Sequence, residues 1–156
     1  MESILFVCLG NICRSPTAKA VFDYKLQQAG LSPLTDSAGT TGYHQGNPPD
    51  PRAIRAASEW GVDISGERAR IVTVEDFTRF ERIYAMDRSN LADLHDRMPA
   101  GAGARVELLM KLAPDYGIDE VPDPYYGGDE GFRRVLDMLE TAADRLIEEL
   151  RASTRS

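Results

Sequence analysis

Residues 4–9, Ile4-Leu5-Phe6-Val7-Cys8-Leu9, are apolar without a break, and Gly10-Asn11 ends the run. A short continuous apolar stretch of this kind suits a strand buried on both faces, as in parallel α/β sheets. A helix is expected to follow, with Ser15 as its N-cap and Pro16 at its first position. Ala18, Val21, Phe22, Leu26 and Ala29 then share one helical face, and Gly30 is a natural stop. Weaker strand patterns lie at 35–38, 82–86 and 105–109. Further helices are expected to start near Pro51 and Ser89. The clearest later element is a C-terminal helix, where Phe132, Val135, Leu136, Leu139, Ala143, Leu146, Ile147 and Leu150 keep helical spacing. Turn-rich segments separate these elements at 42–51, 99–103 and 121–128.

Strands alternating with helices predict an α/β fold, an open parallel sheet covered on both faces. Ligands of such sheets bind beyond the carboxyl ends of the strands, and the first such end is Cys8. The 156 residues fit one domain, 1–156, with residues 151–156 expected to be a frayed tail. No internal repeat or low-complexity tract interrupts it.

Composition narrows the partners. The net charge of −7 disfavours nucleic acid and steady association with anionic membranes, both of which call for a basic face. Two cysteines, Cys8 and Cys13, are too few for a disulfide scaffold and fit a reducing cytoplasm. Met1-Glu2-Ser3 opens with an acid rather than the basic region of a signal peptide. The expectation is a soluble, cytoplasmic protein. With only His44 and His95 present, a three-histidine zinc site is ruled out, and no cofactor or metal is expected. Both histidines are expected to be solvated.

The chemistry concentrates between Val7 and Pro16. A loop joining a buried strand to a helix N-terminus turns its amides inward, and the helix dipole adds partial positive charge. Residues Leu9, Gly10, Asn11, Ile12, Cys13, Arg14 and Ser15 would line a phosphate in such a nest. Gly10 and Asn11 tolerate the left-handed angles it needs. Arg14 can grip two phosphate oxygens at once. The same environment should depress the pKa of Cys8 and make it a nucleophile, and Ser15 could donate a hydrogen bond to its sulfur. A lone cysteine at a strand end is ordinarily a small packed hydrophobe. Here Gly, Asn, Arg, Ser and Pro surround it, each with a separate physical job.

This stretch resembles the signature of the low-molecular-weight protein tyrosine phosphatases, C-x-G-N-x-C-R-S-P, from Cys8 to Pro16. Asp123-Pro124-Tyr125-Tyr126-Gly127 resembles a second motif of that family. Asp36 to Thr40, Gly46 to Asp50 and Met86 to Leu91 follow in the family's order. The resemblance implies a flavodoxin-like sheet of four parallel strands and hydrolysis of phosphotyrosine, or of small aryl phosphates, through a phosphocysteine, releasing inorganic phosphate. It also implies that Asn11, Ser15 and Ser37 support the loop, and that Tyr43 faces Tyr125 and Tyr126 across a slot for an aromatic ring. It implies a protein that is mostly monomeric, with weak dimers in some members. Asp123 has the chemistry of a general acid that becomes a base after phosphoryl transfer. Asp87 could sit near the site or simply cap a helix. Cys13, five residues from Cys8, is a candidate disulfide partner under peroxide.

One family feature is missing. Many relatives carry a histidine in the loop-support network where Gly66 and Glu67 stand, so another group or water must close it. Three alternatives share parts of the pattern. Arsenate reductases need cysteines beyond Cys13. Protein arginine phosphatases typically have threonine at the position of Ile12 and lack the paired tyrosines. A phosphocarrier would use Cys8 without needing Asp123.

Overall fold

The N-terminal apolar run becomes a central strand, β1 (Ser3–Cys8), with all six residues buried. In this computed structural model residues 2–126 and 128–154 are described, with all their side chains except those of Tyr126 and Thr154. After β1 come α1 (Arg14–Gln28), β2 (Leu34–Gly39), α2 (Pro51–Trp60), a short α3 (Asp76–Arg79) and β3 (Arg82–Ala85). Then follow α4 (Arg88–Arg97), β4 (Arg105–Leu108), three 3-10 turns and α5 (Asp129–Thr154). The strands pair in parallel in the order β2-β1-β3-β4. The expected four-stranded parallel sheet is therefore present.

Alternation along β1 divides the core. Ile4, Phe6 and Cys8 enter the cluster built with α1, α2 and α5, where Phe22, Tyr84, Leu139 and Leu146 are fully or almost fully buried. Leu5 and Val7 enter the other cluster, with Phe77, Phe80, Ile83 and Leu94 from the α3 and α4 side. Successive side chains of a strand point to opposite faces, so an unbroken apolar run is what a strand covered twice requires.

Helix boundaries follow local chemistry. Gly30, at φ 79°, ends α1, and the amides of Gly30 and Leu31 bond back to Gln27 and Leu26 at 3.0 and 2.8 Å. The Asp50 carboxylate accepts the amide of Arg52 at 2.8 Å and caps α2, with Pro51 in its first turn. Asp87 and Asn90 form a reciprocal capping box that starts α4. The C-terminal helix runs on to Thr154; Ser156 and its neighbour lie outside the described residues.

In the order β2-β1-β3 the connections after the neighbouring strands β1 and β3 run to opposite faces of the sheet. The loop after β1 leads to α1 and the loop after β3 leads to α4, which pack on different faces. A crevice opens between such loops at the strands' carboxyl ends.

Phe22 is fully buried, with its ring 4.7 Å from that of Phe6. Replacing it by alanine leaves a cavity between α1 and the sheet. Urea unfolding of Phe22→Ala is expected to show a loss of ~3–5 kcal/mol. A loss below ~1 kcal/mol would mean that this contact does not hold α1 in place.

Candidate active site

The loop after β1 is pinned by backbone bonds from two segments. The amides of Thr40 and Thr41 donate to the carbonyls of Cys8 and Leu9 at 2.9 and 3.1 Å. The amide of Asp50 donates to the carbonyl of Ile12 at 2.8 Å. These bonds take the loop's carbonyls outward. The amide of Asn11 turns inward and donates to Cys8 Sγ at 3.3 Å.

Asn11 makes that geometry possible. It is the one non-glycine position among the described residues with a positive φ, 59°. Asparagine reaches this left-handed region more readily than most residues. Its Nδ2 donates to Ser15 Oγ at 2.7 Å and Ser37 Oγ at 2.9 Å. Its Oδ1 accepts the backbone amide of Arg70 at 3.0 Å. That amide is the third partner of the Asn11 side chain, beside the two serines. Glu67, in the histidine's region, sits instead 3.6 Å from Lys19 Nζ. Arg70 is itself held by Asp76 and Asp36, at 2.9 and 3.1 Å.

Ser15 corrects one expectation. Helix α1 begins at Arg14, and its N-cap position, Cys13, supplies no side-chain cap. Ser15 lies inside the first turn with its hydroxyl 3.1 Å from Cys8 Sγ. An uncapped helix N-terminus keeps its first amides available to an anion.

The Arg14 side chain is 3% exposed. Its Nη1 donates to Asp87 Oδ2 at 2.7 Å and to the carbonyl of Val121 at 3.0 Å. Its Nη2 lies 3.7 Å from Asp123 Oδ2. Burial works against the guanidinium charge, but Cys8 and the Asp87 hydrogen bond outweigh it and raise the Arg14 pKa. Asp87 therefore does both jobs considered for it: it caps α4 and aims Arg14. Asp123 is about one-third exposed, and its Oδ1 accepts the amide of Tyr125 at 3.0 Å, the mark of a local turn.

The two thiols differ. Burial, then Asp50, Cys8 and Asp123, push the Cys13 pKa far up, with Arg52 opposing. Cys13 stays a neutral thiol at neutral pH. Cys8 instead faces a hydroxyl and an inward amide. Both cysteines are buried and free.

Cys8, Cys13, Arg14 and Asp123 line a cleft of about 500 Å³, together with Leu9, Gly10, Ile12 and Thr41. Tyr43, His44 and Tyr125 form its rim. The Tyr126 side chain and Gly127 lie outside the described residues. Tyr43 is 86% exposed, so it stands as a free edge rather than a packed wall. His44 is partly exposed and lines the cleft, edge-on to Tyr43 with ring centroids 4.9 Å apart. A Cβ on Gly10 would come within 2.9 Å of its ring. The adjacency of His44 to Tyr43 was the available signal. A larger groove, about 780 Å³, runs along the β4 edge past Leu91, Val106 and Ile118, but no cysteine lines it. Among the described residues no three His, Cys, Asp or Glu side chains cluster so as to hold a metal ion.

Fold and site together define an α/β protein with a thiol in a strand-to-helix loop that opens on a cleft. The family model for low molecular weight phosphotyrosine protein phosphatase matches residues 3–156. A putative low molecular weight protein-tyrosine-phosphatase of Synechocystis is 43% identical, covering 94% of this chain and 95% of its own. The human low molecular weight phosphotyrosine protein phosphatase is 44% identical over 94% of both chains. The crystal structure of a protein tyrosine phosphatase from Entamoeba histolytica superposes with a TM-score of 0.93 at 40% identity, covering 99% of both chains. The chain belongs to the low molecular weight phosphotyrosine protein phosphatase family.

Gly39 pairs with Cys8 across the sheet, and a Cβ there would meet the carbonyl oxygen of Leu9 at 2.8 Å. Gly39→Ala is expected to shift the loop, cost ~1–3 kcal/mol in urea unfolding and weaken inorganic phosphate binding by calorimetry. Unchanged phosphate affinity would show that the loop does not depend on this close approach.

Proposed function

We propose that this protein hydrolyses phosphotyrosine in proteins, and small aryl phosphates, with Cys8 as nucleophile and Asp123 as acid and then base. The observation that carries the reading is the convergence of Cys8, Arg14 and Asp123 on one cleft, with Ser15 and the Asn11 amide against the sulfur. Cys8 Sγ lies at its floor, Ser15 Oγ and the Asn11 amide face the sulfur, and Arg14 and Asp123 stand 3.7 Å apart beside it.

In the first step the Cys8 thiolate attacks phosphorus and the bond from phosphorus to the aryl oxygen breaks. Protonated Asp123 gives its proton to that oxygen, and the phenol leaves. Arg14 and the loop amides hold the equatorial oxygens, where charge must be stabilised. In the second step the Asp123 carboxylate takes a proton from water as the water oxygen attacks phosphorus. The sulfur–phosphorus bond breaks, inorganic phosphate departs, and the Ser15 hydroxyl supports the leaving thiolate. No step requires a metal or cofactor. Asp123 in the cleft favours this hydrolase over a phosphocarrier. The exposed Tyr43 and Tyr125 give an aromatic ring two sides to lie between.

Residues 1–156 work as one phosphatase domain, mostly as a monomer that dimerises weakly, in the cytoplasm. No described helix is long and apolar enough to cross a membrane. Cys13 would protect the nucleophile. Peroxide oxidises the Cys8 sulfur to a sulfenic acid, and the Cys13 thiol condenses with it, releasing water and forming a disulfide that a dithiol reduces.

Turnover of an aryl phosphate in excess chelator is expected for wild type and essentially absent for Cys8→Ser. Asp123→Ala should slow a phenyl phosphate by ~10²–10⁴-fold and substrates with very acidic leaving groups far less. Residual turnover by Cys8→Ser would refute the mechanism. A substrate panel that ran faster on phosphoarginine than on phosphotyrosine would redirect the substrate assignment. Mild peroxide should abolish activity and dithiothreitol should restore it; permanent loss would remove the protective role of Cys13.

A further inference from the structure

Arg52 lies in the first turn of α2, beyond the phosphate loop, and takes no part in the chemistry above. Its surroundings nevertheless join the two halves of the site. Arg52 Nε donates to Asp50 Oδ1 at 3.2 Å and Nη2 to Asp50 Oδ2 at 3.0 Å, a two-toothed grip on one carboxylate. The Asp50 residue is buried, and its backbone amide holds the Ile12 carbonyl of the phosphate loop. On its other side the guanidinium carbon lies 5.3 Å from the Tyr125 ring centroid and 5.1 Å from that of Phe132. Both distances fall within cation–π range. Phe132 belongs to the first turns of α5 and is buried, so it is a fixed surface. Tyr125 follows Asp123 by two residues, and its amide is the one that Asp123 Oδ1 accepts.

These contacts form one chain of support: phosphate loop, Asp50, Arg52, Tyr125. The 3-10 turn carrying Tyr125 spans three residues. So short a turn has little packing of its own to hold a ring in one orientation. We propose that Arg52 is a positioning residue for the aromatic slot: gripped by Asp50, its guanidinium holds the Tyr125 ring as a wall and so sets the preference for phosphates that carry a ring. This rests on the aryl phosphatase reading of the cleft. It adds a residue that acts on the ring and not on the phosphate.

Lysine is a poor substitute on this account. An ammonium could still sit over the Tyr125 ring, but it cannot match both carboxylate oxygens of Asp50 with a planar fork. Alanine removes both contacts. In each variant the Asp50 carboxylate keeps the backbone amide of residue 52, which caps α2.

Binding measurements separate this role from turnover. Phenylphosphonate and inorganic phosphate are titrated by calorimetry into wild type, Arg52→Ala, Arg52→Lys, Tyr125→Ala and the Arg52→Ala/Tyr125→Ala double variant. Arg52→Ala is expected to weaken phenylphosphonate by about 3–10-fold and inorganic phosphate by less than ~2-fold. Arg52→Lys should fall between wild type and Arg52→Ala. On the Tyr125→Ala background, loss of Arg52 should add less than ~1.5-fold, because the partner it acts through is gone. The proposal is overturned if phenylphosphonate affinity is unchanged, if both ligands weaken in parallel, or if the two substitutions act additively. It is also overturned if wild type binds the two ligands equally, since there would then be no slot to position. None of these outcomes depends on hydrolysis. Absence of Cys8-dependent turnover, by contrast, would count against the proposed function alone.

Discussion

The site depends on one residue held in an unusual backbone conformation. Asn11 must sit at positive φ for its amide to face Cys8, and that conformation costs free energy for any residue with a Cβ. The cost is met because its side chain bonds Ser15, Ser37 and the Arg70 amide, which lie on α1, β2 and the loop before α3. If the Asn11 amide turned away, the sulfur would lose one of its two polar partners. The anion nest would also lose the inward turn on which it is built.

Topology determines what can face that loop. Because β1 lies between β2 and β3, the loop after β1 opens opposite the loop after β3. Asp87 begins the helix after β3 and so reaches Arg14 from the other side of the crevice. A buried arginine without such a partner would be strongly destabilising, by ~3–5 kcal/mol when one member of a pair is removed. The β2 end contributes by being small: Gly39 lets the Leu9 carbonyl come close. The cradle is thus assembled from buried groups held by hydrogen bonds. The rim, with Tyr43, His44 and Tyr125, is more exposed and is where substrate selection would act.

Much of this was legible in the sequence, for identifiable reasons. The first strand was plain because a strand buried on both faces leaves an unbroken apolar run, whereas β2 and β4, partly exposed and of mixed polarity, left weaker patterns. The last helix was clear because its apolar face repeats over many turns. Short elements were not: α3 and the 3-10 turns are held by local bonds such as Thr73 N to Asp76, which leave no periodic trace. Ser15 misled because serine before proline is an ordinary cap signal, whereas here its hydroxyl lies inside the first turn against the Cys8 sulfur. The role of Arg70 was invisible because it uses a backbone amide, which any residue would supply. His44 and Asp87 could be seen as residues, but their positions depend on which loops the sheet order brings together.

The central claim is that Cys8 carries the phosphoryl group between the two steps. Acid-quenching the enzyme during turnover of an aryl phosphate, then sequencing its peptides by mass spectrometry, tests this directly. The account predicts one added phosphoryl group, on Cys8, that disappears when substrate is exhausted. A phosphoryl group on Cys13 or another residue would contradict it, as would single-step transfer to water, shown by inversion at a chiral phosphorus.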